Sequence, residues 1–358
     1  VHLASLRLRD FRNYARFDGE FQPGFHILTG RNAQGKTNLL EAIYVLATLR
    51  SFRGVASAQM VRHGQKGWFI GAHVLARADH ELKLYWSPRE RSLTRDGNPV
   101  RRLADFLGVL RAVAFCAEDI QLVKGPASRR RRFLDLLLSQ TEPHYLPLLQ
   151  RYAQALRSRN ALLRQPKPDE ASLESFTAEL VARGVEILQH RRRLLPAILP
   201  LVQAAHQRIS GGCEEVSLNY QSTVKGDFLV ELRQAWPRER AMKATLVGPH
   251  RDELDLRLDG KSAAQFGSEG QKRSVVTALK IAQAEFLSGH HGGPPILLID
   301  DIMGELDVRR RSGFLPLLER VHQSDSQVFM TCTEENWPAE LAVSPRRWKV
   351  EAGLISQA

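Results

Sequence analysis

Cysteine is scarce in this chain. Cys116, Cys213 and Cys332 are the three in 358 residues, far apart and without the paired spacing that a zinc site needs. A disulfide scaffold is thereby excluded, and reduced structural thiols are expected. Long apolar runs are missing too, since no stretch approaches the ~20 residues of a membrane-spanning helix. The start, VHLASLRLRDFRNY, alternates like a strand and does not resemble a signal peptide, so a cytoplasmic protein is expected. Sustained heptads are absent, which argues against a long coiled coil. Acid is short relative to base: 39 Asp and Glu stand against 51 Lys and Arg, a formal net charge of +12. Such an excess calls for a polyanionic partner, with DNA, RNA and acidic membranes all open on composition alone.

What is present is organised around GRNAQGKT: Gly30, Arg31, Asn32, Ala33, Gln34, Gly35, Lys36 and Thr37. This is the G-x-x-x-x-G-K-[ST] spacing of a phosphate-binding loop, preceded by the strand-like FHILT and followed from Asn38 by the helical NLLEAIYVLATL. Gly30 and Gly35 let the backbone turn so that successive N–H groups converge on one anion. Lys36 is placed for the outer phosphates and the Thr37 hydroxyl for Mg²⁺, while the helix N-terminus adds its positive end. Ala33 stands where a glycine is common, which requires a right-handed or extended backbone there.

Around this loop, residues 1–124 read mostly as strands: LASLRLRDF, an antiparallel pair GWFIGAHVLARAD and HELKLYWS, and a tight turn at Asp96-Gly97. From Arg129 to about Ser210 the pattern becomes helical, so residues 125–212 are expected to form an inserted helical lobe. Pro196 and Pro200 argue against one uninterrupted rod in its second arm. Strands return in residues 213–358, with ILLID buried on both faces and QVFMTCT as a neighbour. The expected class is α/β: a β-rich ATPase head split in sequence by the helical lobe.

Two further motifs sharpen the reading. ILLID ends in Asp300 and Asp301, paired carboxylates that in a phosphate-loop ATPase hold Mg²⁺ and orient the attacking water, provided the strand stops at Asp300. FGSEGQKRS places Ser268, Gly270 and Gln271 at a helix start, a second anion-binding geometry suited to another subunit's nucleotide. With these in place the chain resembles the RecF family of bacterial recombination mediators, relatives of the SMC-type cassette ATPases. The matching blocks are FRNY, GRNAQGKTNLLEAIY, AEDIQLVKGPASRRRRFLD, VGPHRDEL, FGSEGQKR, ILLIDDIMGELD and QVFMTCTE, in family order across most of the chain.

The resemblance implies an ATP-binding-cassette head that binds ATP and Mg²⁺, dimerises around two nucleotides, binds gapped or single- and double-stranded DNA, and works with RecR and RecO to load RecA. It assigns Gly30 to Asn38 to the nucleotide, Thr37 and Asp300 to the metal and Asp301 to catalysis. Ser268, Gly270 and Gln271 go to the partner's nucleotide, and Asp307 to a loop that crosses the dimer. Weak, DNA-stimulated ATP hydrolysis is implied. The TCT strand replaces the usual switch histidine, leaving the γ-phosphate sensor unassigned. Candidate DNA contacts are Arg129, Arg130, Arg131, Arg132, Arg191, Arg192 and Arg193, with Arg53, Arg62 and Arg151 as scattered cations. Phosphate contact needs little more than charge on one face. Arg129 to Arg132 can equally pair with Glu118, Asp119 or Asp135, and His250-Arg251-Asp252 is either a structural cluster or part of the nucleotide site. An ATPase subunit of a transporter or SMC-like complex would share the three motifs but not the basic balance or the RRRRFLD and GPHRDEL blocks.

Overall fold

Buried Leu6 and Leu8 alternate with half-exposed Arg7 and Arg9 along strand β1 (His2–Phe11), the period-2 pattern of a sheet with one covered face. The computed structural model describes residues 1–76, 78–302, 311–332 and 345–357. In it, β1 lies in an antiparallel sheet with β2 (Tyr14–Glu20), β4 (Trp68–Leu75), β5 (Asp79–Trp86), β6 (Arg91–Arg95) and β7 (Asn98–Pro99), in the order β2-β1-β4-β5-β6-β7. Asp96 and Gly97, at φ 54° and 78°, make the left-handed turn that joins β6 to β7.

A second sheet carries the phosphate loop. Its order is β15 (Leu354–Gln357), β14 (Arg346–Glu351), β3 (Gly24–Thr29), β13 (Gln327–Thr331), β12 (Ile296–Asp300) and β8 (Ala112–Phe115), parallel throughout except for β15. AVAF, ILLI and VFM are buried along their length, as strands covered on both faces must be. Helices α1 (Lys36–Thr48), α8 (Glu269–His291) and α9 (Leu315–His322) pack on these strands.

The chain divides into two compact units, one of residues 1–120, 201–214 and 269–358, the other of residues 121–200 and 215–268. This differs from the boundaries read from the pattern, in which residues 213–358 were all head. The second unit holds α2 (Gln121–Lys124), α3 (Ala127–Thr141), α4 (Tyr145–Leu163) and most of α5 (Glu170–Ser210). It also takes β9 (Val216–Gln221), β10 (Glu253–Leu258) and β11 (Lys261–Ser262), with α6 (Phe228–Met242) and α7 (Ala263–Phe266). The strands belong there because their acids hold its helices: Arg130 of α3 makes two bonds, 2.6 and 2.7 Å, to Glu253 of β10. Fully buried Arg159 of α4 donates to Glu239 of α6 at 2.6 Å and to Thr245 at 2.7 Å.

Helix α5 corrects a second expectation, since it runs 41 residues without a break through Pro196 and Pro200. Each proline removes one i→i−4 bond, that to the carbonyl of Arg192 or Pro196, and Arg192, Pro196 and Pro200 all lie on the exposed face of the helix. Leu188, Arg191, Leu194, Ile198, Val202, Ala205 and Ile209 bury the other face at helical spacing and offset the loss.

In β3, His26 is fully buried, stacked on Phe329 at 4.8 Å between ring centres. Its Nε2–H donates to Gln22 O at 2.7 Å and its Nδ1 accepts from Trp348 Nε1 at 3.0 Å, so the neutral ring is fully used and a second proton has no place. Burial lowers its pKa from 6.5 to about 4. Between those values the unfolded chain binds the extra proton and the folded one does not, so stability rises with pH through this window and is lost as pH falls through it. About 2 kcal/mol should disappear between pH 7 and 5. Urea midpoints at the two pH values should show a smaller difference in His26→Gln than in the parent; equal differences would refute the assignment.

Candidate functional site

The glycines of the phosphate loop are where the backbone demands them. Gly30 has φ 137°, and a Cβ there would lie 2.4 Å from Val350 O; Gly35 has φ 118°, and a Cβ there would lie 2.6 Å from Asn13 Nδ2. Ala33 is a correction: its φ is 65°, left-handed and not right-handed or extended, a conformation costing an alanine about 1–2 kcal/mol. Such strain persists where the surroundings over-determine it.

Those surroundings come from three distant segments. Asn13 Nδ2 donates to Gln34 O at 2.8 Å, Tyr14 OH to Gly35 O at 2.9 Å and Asn38 Nδ2 to Asn13 Oδ1 at 2.8 Å. The turn of the β14–β15 hairpin closes on the same residue, with Ala352 N 2.6 Å from Gln34 Oε1 and Gly353 N 3.0 Å from Gln34 O. Buried Glu41 of α1 accepts from Arg12 twice, at 2.7 and 2.8 Å, and from Ser51. Arg53, offered above as a scattered cation, lies 3.7 Å from Glu41 and donates to Asn38 Oδ1 at 3.0 Å, and Arg62 pairs with Asp10 at 2.8 Å.

Lys36 is nearly buried, and its Nζ donates to Gly30 O at 2.5 Å and Arg31 O at 3.0 Å, curling back over the loop. Thr37 Oγ1 donates to Asp300 Oδ1 at 2.8 Å. Strand β12 stops at Asp300, and Asp301 turns left-handed at φ 53°, so the two adjacent carboxylates are freed from strand alternation. Asp301 is exposed; burial raises the pKa of Asp300, against hydrogen bonds from Thr37 and Thr331 that lower it. This donor set fits a magnesium nucleotide. Gly30 and Gly35 give the loop the positive-φ backbone of an anion cradle, a lysine sits at the loop, and a hydroxyl and a carboxylate supply the hard oxygens that Mg²⁺ takes alongside phosphate and water. Among the described residues no three His, Cys, Asp or Glu gather into an all-protein metal cage.

Ser268 and Gly270 stand at the start of α8, and Gln271 Nε2 donates to Glu214 Oε1 at 2.6 Å. Glu214, just before β9, was not singled out by the sequence. Asp307 lies outside the described residues. Thr331 was likewise missed as an individual, although the TCT run marked its neighbourhood: its hydroxyl lies 2.9 Å from both Asp300 Oδ1 and Asp301 N.

The arginine runs are corrected in part. Arg191 is 2% exposed and bound to Asp135 at 2.8 and 3.0 Å, to Pro249 O at 2.8 Å and to Tyr220 OH at 3.2 Å. Arg130 is spent on Glu253, and Arg131 donates to Asp252 O at 2.7 Å. These three hold the second unit together because its polar core needs cations against Asp135 and Glu253. Arg129 is half-exposed, and Arg132, Arg192 and Arg193 are exposed. Asp119 lies 3.6 Å from Lys280. His250 and Asp252 are hydrogen-bonded within the second unit. Asp252 accepts from Tyr220 OH at 2.6 Å and Thr223 N at 2.7 Å, while His250 Nδ1 meets Tyr152 OH at 2.6 Å.

No described helix is long and apolar enough to cross a membrane. The family model for the RecF/RecN/SMC N-terminal domain matches residues 2–344. The DNA replication and repair protein RecF of Synechococcus sp. (strain JA-2-3B'a(2-13)) is 40% identical over 356 residues, covering 94% of each chain. That of Symbiobacterium thermophilum is 38% identical over 375 residues, covering 99% of this chain and 98% of its own. A solved structure of the recombination mediator protein RecF with ATP, in the RecFOR pathway, superposes with a TM-score of 0.90 at 27% identity over 100% of this chain and 97% of that one. The Smc head domain of Pyrococcus furiosus, bound to the C-terminal domain of ScpA, shares the fold at a TM-score of 0.58 and 17% identity, covering 100% of this chain and 96% of that one. By the family match and by identity over nearly the whole length, the chain belongs to the RecF family.

Proposed function

We propose that this chain is an ATP-dependent DNA-binding protein of recombinational repair, in which nucleotide draws two copies together and the closed dimer grips DNA. The observation that carries the reading is the join between Thr37 and Asp300, residues 263 apart, directly beside a lysine-bearing phosphate loop. Lys36 would leave its carbonyl partners for the outer phosphates. Thr37 and Asp300 would hold Mg²⁺, whose chemistry is to neutralise charge between those phosphates. Asp301, exposed and kinked away from the strand, would orient the attacking water; being shorter than glutamate, it should support slow turnover that resets the dimer.

Ser268, Gly270 and Gln271 would close over the nucleotide of the other copy, with α8 aiming its N-terminus at the phosphates. Contact with DNA would run through phosphates. Arg132, Arg192 and Arg193 are the exposed members of the arginine runs, and the net charge of +12 supports salt-sensitive binding indifferent to sequence. RecR and RecO are the proposed partners and loading of RecA at gapped DNA the proposed outcome, on the strength of the RecFOR pathway to which the similar solved structure is assigned.

Sedimentation of the protein with gapped duplex tests this. With ATP and Mg²⁺ the expected species is a DNA-bound dimer, and without nucleotide a monomer that binds DNA weakly. Association and affinity that ignore ATP would refute the reading.

A further inference from the structure

We propose that Thr331 is a positioning residue for both carboxylates of the site, tying the end of β13 to metal binding and hydrolysis. The inference rests on the ATPase reading above and assigns a role within it.

The geometry is specific. Asp300 and Thr331 are register partners on the parallel strands β12 and β13, and Thr331 is 2% exposed. A hydroxyl has one proton to give and lone pairs to receive. The Thr331 Oγ1 proton goes to Asp300 Oδ1 at 2.9 Å, and a lone pair accepts the N–H of Asp301 at 2.9 Å. Asp300 Oδ1 therefore receives two hydroxyl protons, from Thr331 and from Thr37 at 2.8 Å, which fixes the carboxylate plane relative to the phosphate loop. The second bond pins the left-handed turn at Asp301, where the strand ends and the side chain would otherwise continue the alternation of β12. One buried hydroxyl thus sets the angle of the metal-side carboxylate and the backbone of the water-side carboxylate. Thr37 already supplies a hydroxyl from the loop itself. Thr331 adds one from a different strand, so movement of β13 would be felt by both acids together.

A purely structural threonine would lower stability when replaced and leave the chemistry alone, so the test reads the chemistry. Thr331→Val keeps the β-branched shape and removes the hydroxyl; Thr331→Ser keeps the hydroxyl and removes a methyl group. In Thr331→Val, ATP binding without Mg²⁺ should stay within about threefold of the parent. The Mg²⁺ concentration that half-saturates nucleotide binding should rise about tenfold, and kcat should fall about 10- to 100-fold, the usual loss when a partner of a metal ligand is removed. Thr331→Ser should restore both Mg²⁺ dependence and kcat to within about threefold. Should the valine variant fail to fold, Thr331→Ala with the same serine control takes its place. A folded variant without the hydroxyl that shows parental Mg²⁺ dependence and kcat would overturn the assignment while leaving the ATPase reading intact. A parent that binds ATP but does not hydrolyse it would overturn the hydrolysis reading, and the Mg²⁺ midpoint would then decide for or against Thr331. A parent that binds no ATP would remove both.

Discussion

Lys36→Ala should weaken ATP binding by at least about 100-fold and abolish nucleotide-dependent dimerisation and tight DNA binding with it. The ammonium group is expected to make charge-assisted bonds to the outer phosphates, each worth about 1.5–3 kcal/mol, in a nearly buried position where alanine offers nothing in exchange. The same ammonium now holds the Gly30 and Arg31 carbonyls, so part of the loss would come from a loosened loop. Isothermal titration with ATP, sedimentation with gapped duplex and a melting curve separate the two contributions. Parental ATP affinity in Lys36→Ala would remove Lys36 from the nucleotide site.

Ser268→Arg is expected to split two properties that Lys36→Ala loses together. ATP should still bind within about threefold, since the phosphate loop is untouched, while dimerisation falls below detection at concentrations where the parent is fully associated. The physical cause is local: arginine at the start of α8 replaces a small hydroxyl with a bulky cation beside the positive end of the helix, at the surface proposed to face the other copy's nucleotide. Sedimentation with ATP and Mg²⁺ provides the measurement. A Ser268→Arg dimer would argue that each site is complete within one chain, and the gating of DNA by association would then have to be replaced.

Legibility in the sequence followed distance along the chain. GRNAQGKT is eight adjacent residues whose chemistry is local, and the strand, loop and helix order could be read directly. The same holds for the buried run ILLID, whereas its stop at Asp300 was a condition that only the left-handed Asp301 met. Gln34 could be named as part of the loop, but its carboxamide partner at Ala352 is 318 residues away, and nothing in the pattern announces that a C-terminal hairpin closes on it. Arg130 and Arg191 looked like DNA contacts because a run of cations has the same composition whether it faces water or a buried acid. Their partners, Glu253 and Asp135, lie 123 and 56 residues off. Pro196 and Pro200 misled for a related reason: proline's cost to a helix is known from its chemistry, but whether packing on the other face outweighs it is not.

The residues themselves therefore determined the α/β class, the phosphate loop, the paired acids and the second helix-start motif, because each is set by contiguous chemistry or by periodicity along one element. Only the tertiary structure decided which strands join the helical unit, which arginines are spent on buried carboxylates, and that a threonine on β13 binds both acids at the end of β12. Those outcomes depend on which groups meet after folding and on whether a buried charge finds its partner, and a linear pattern carries neither.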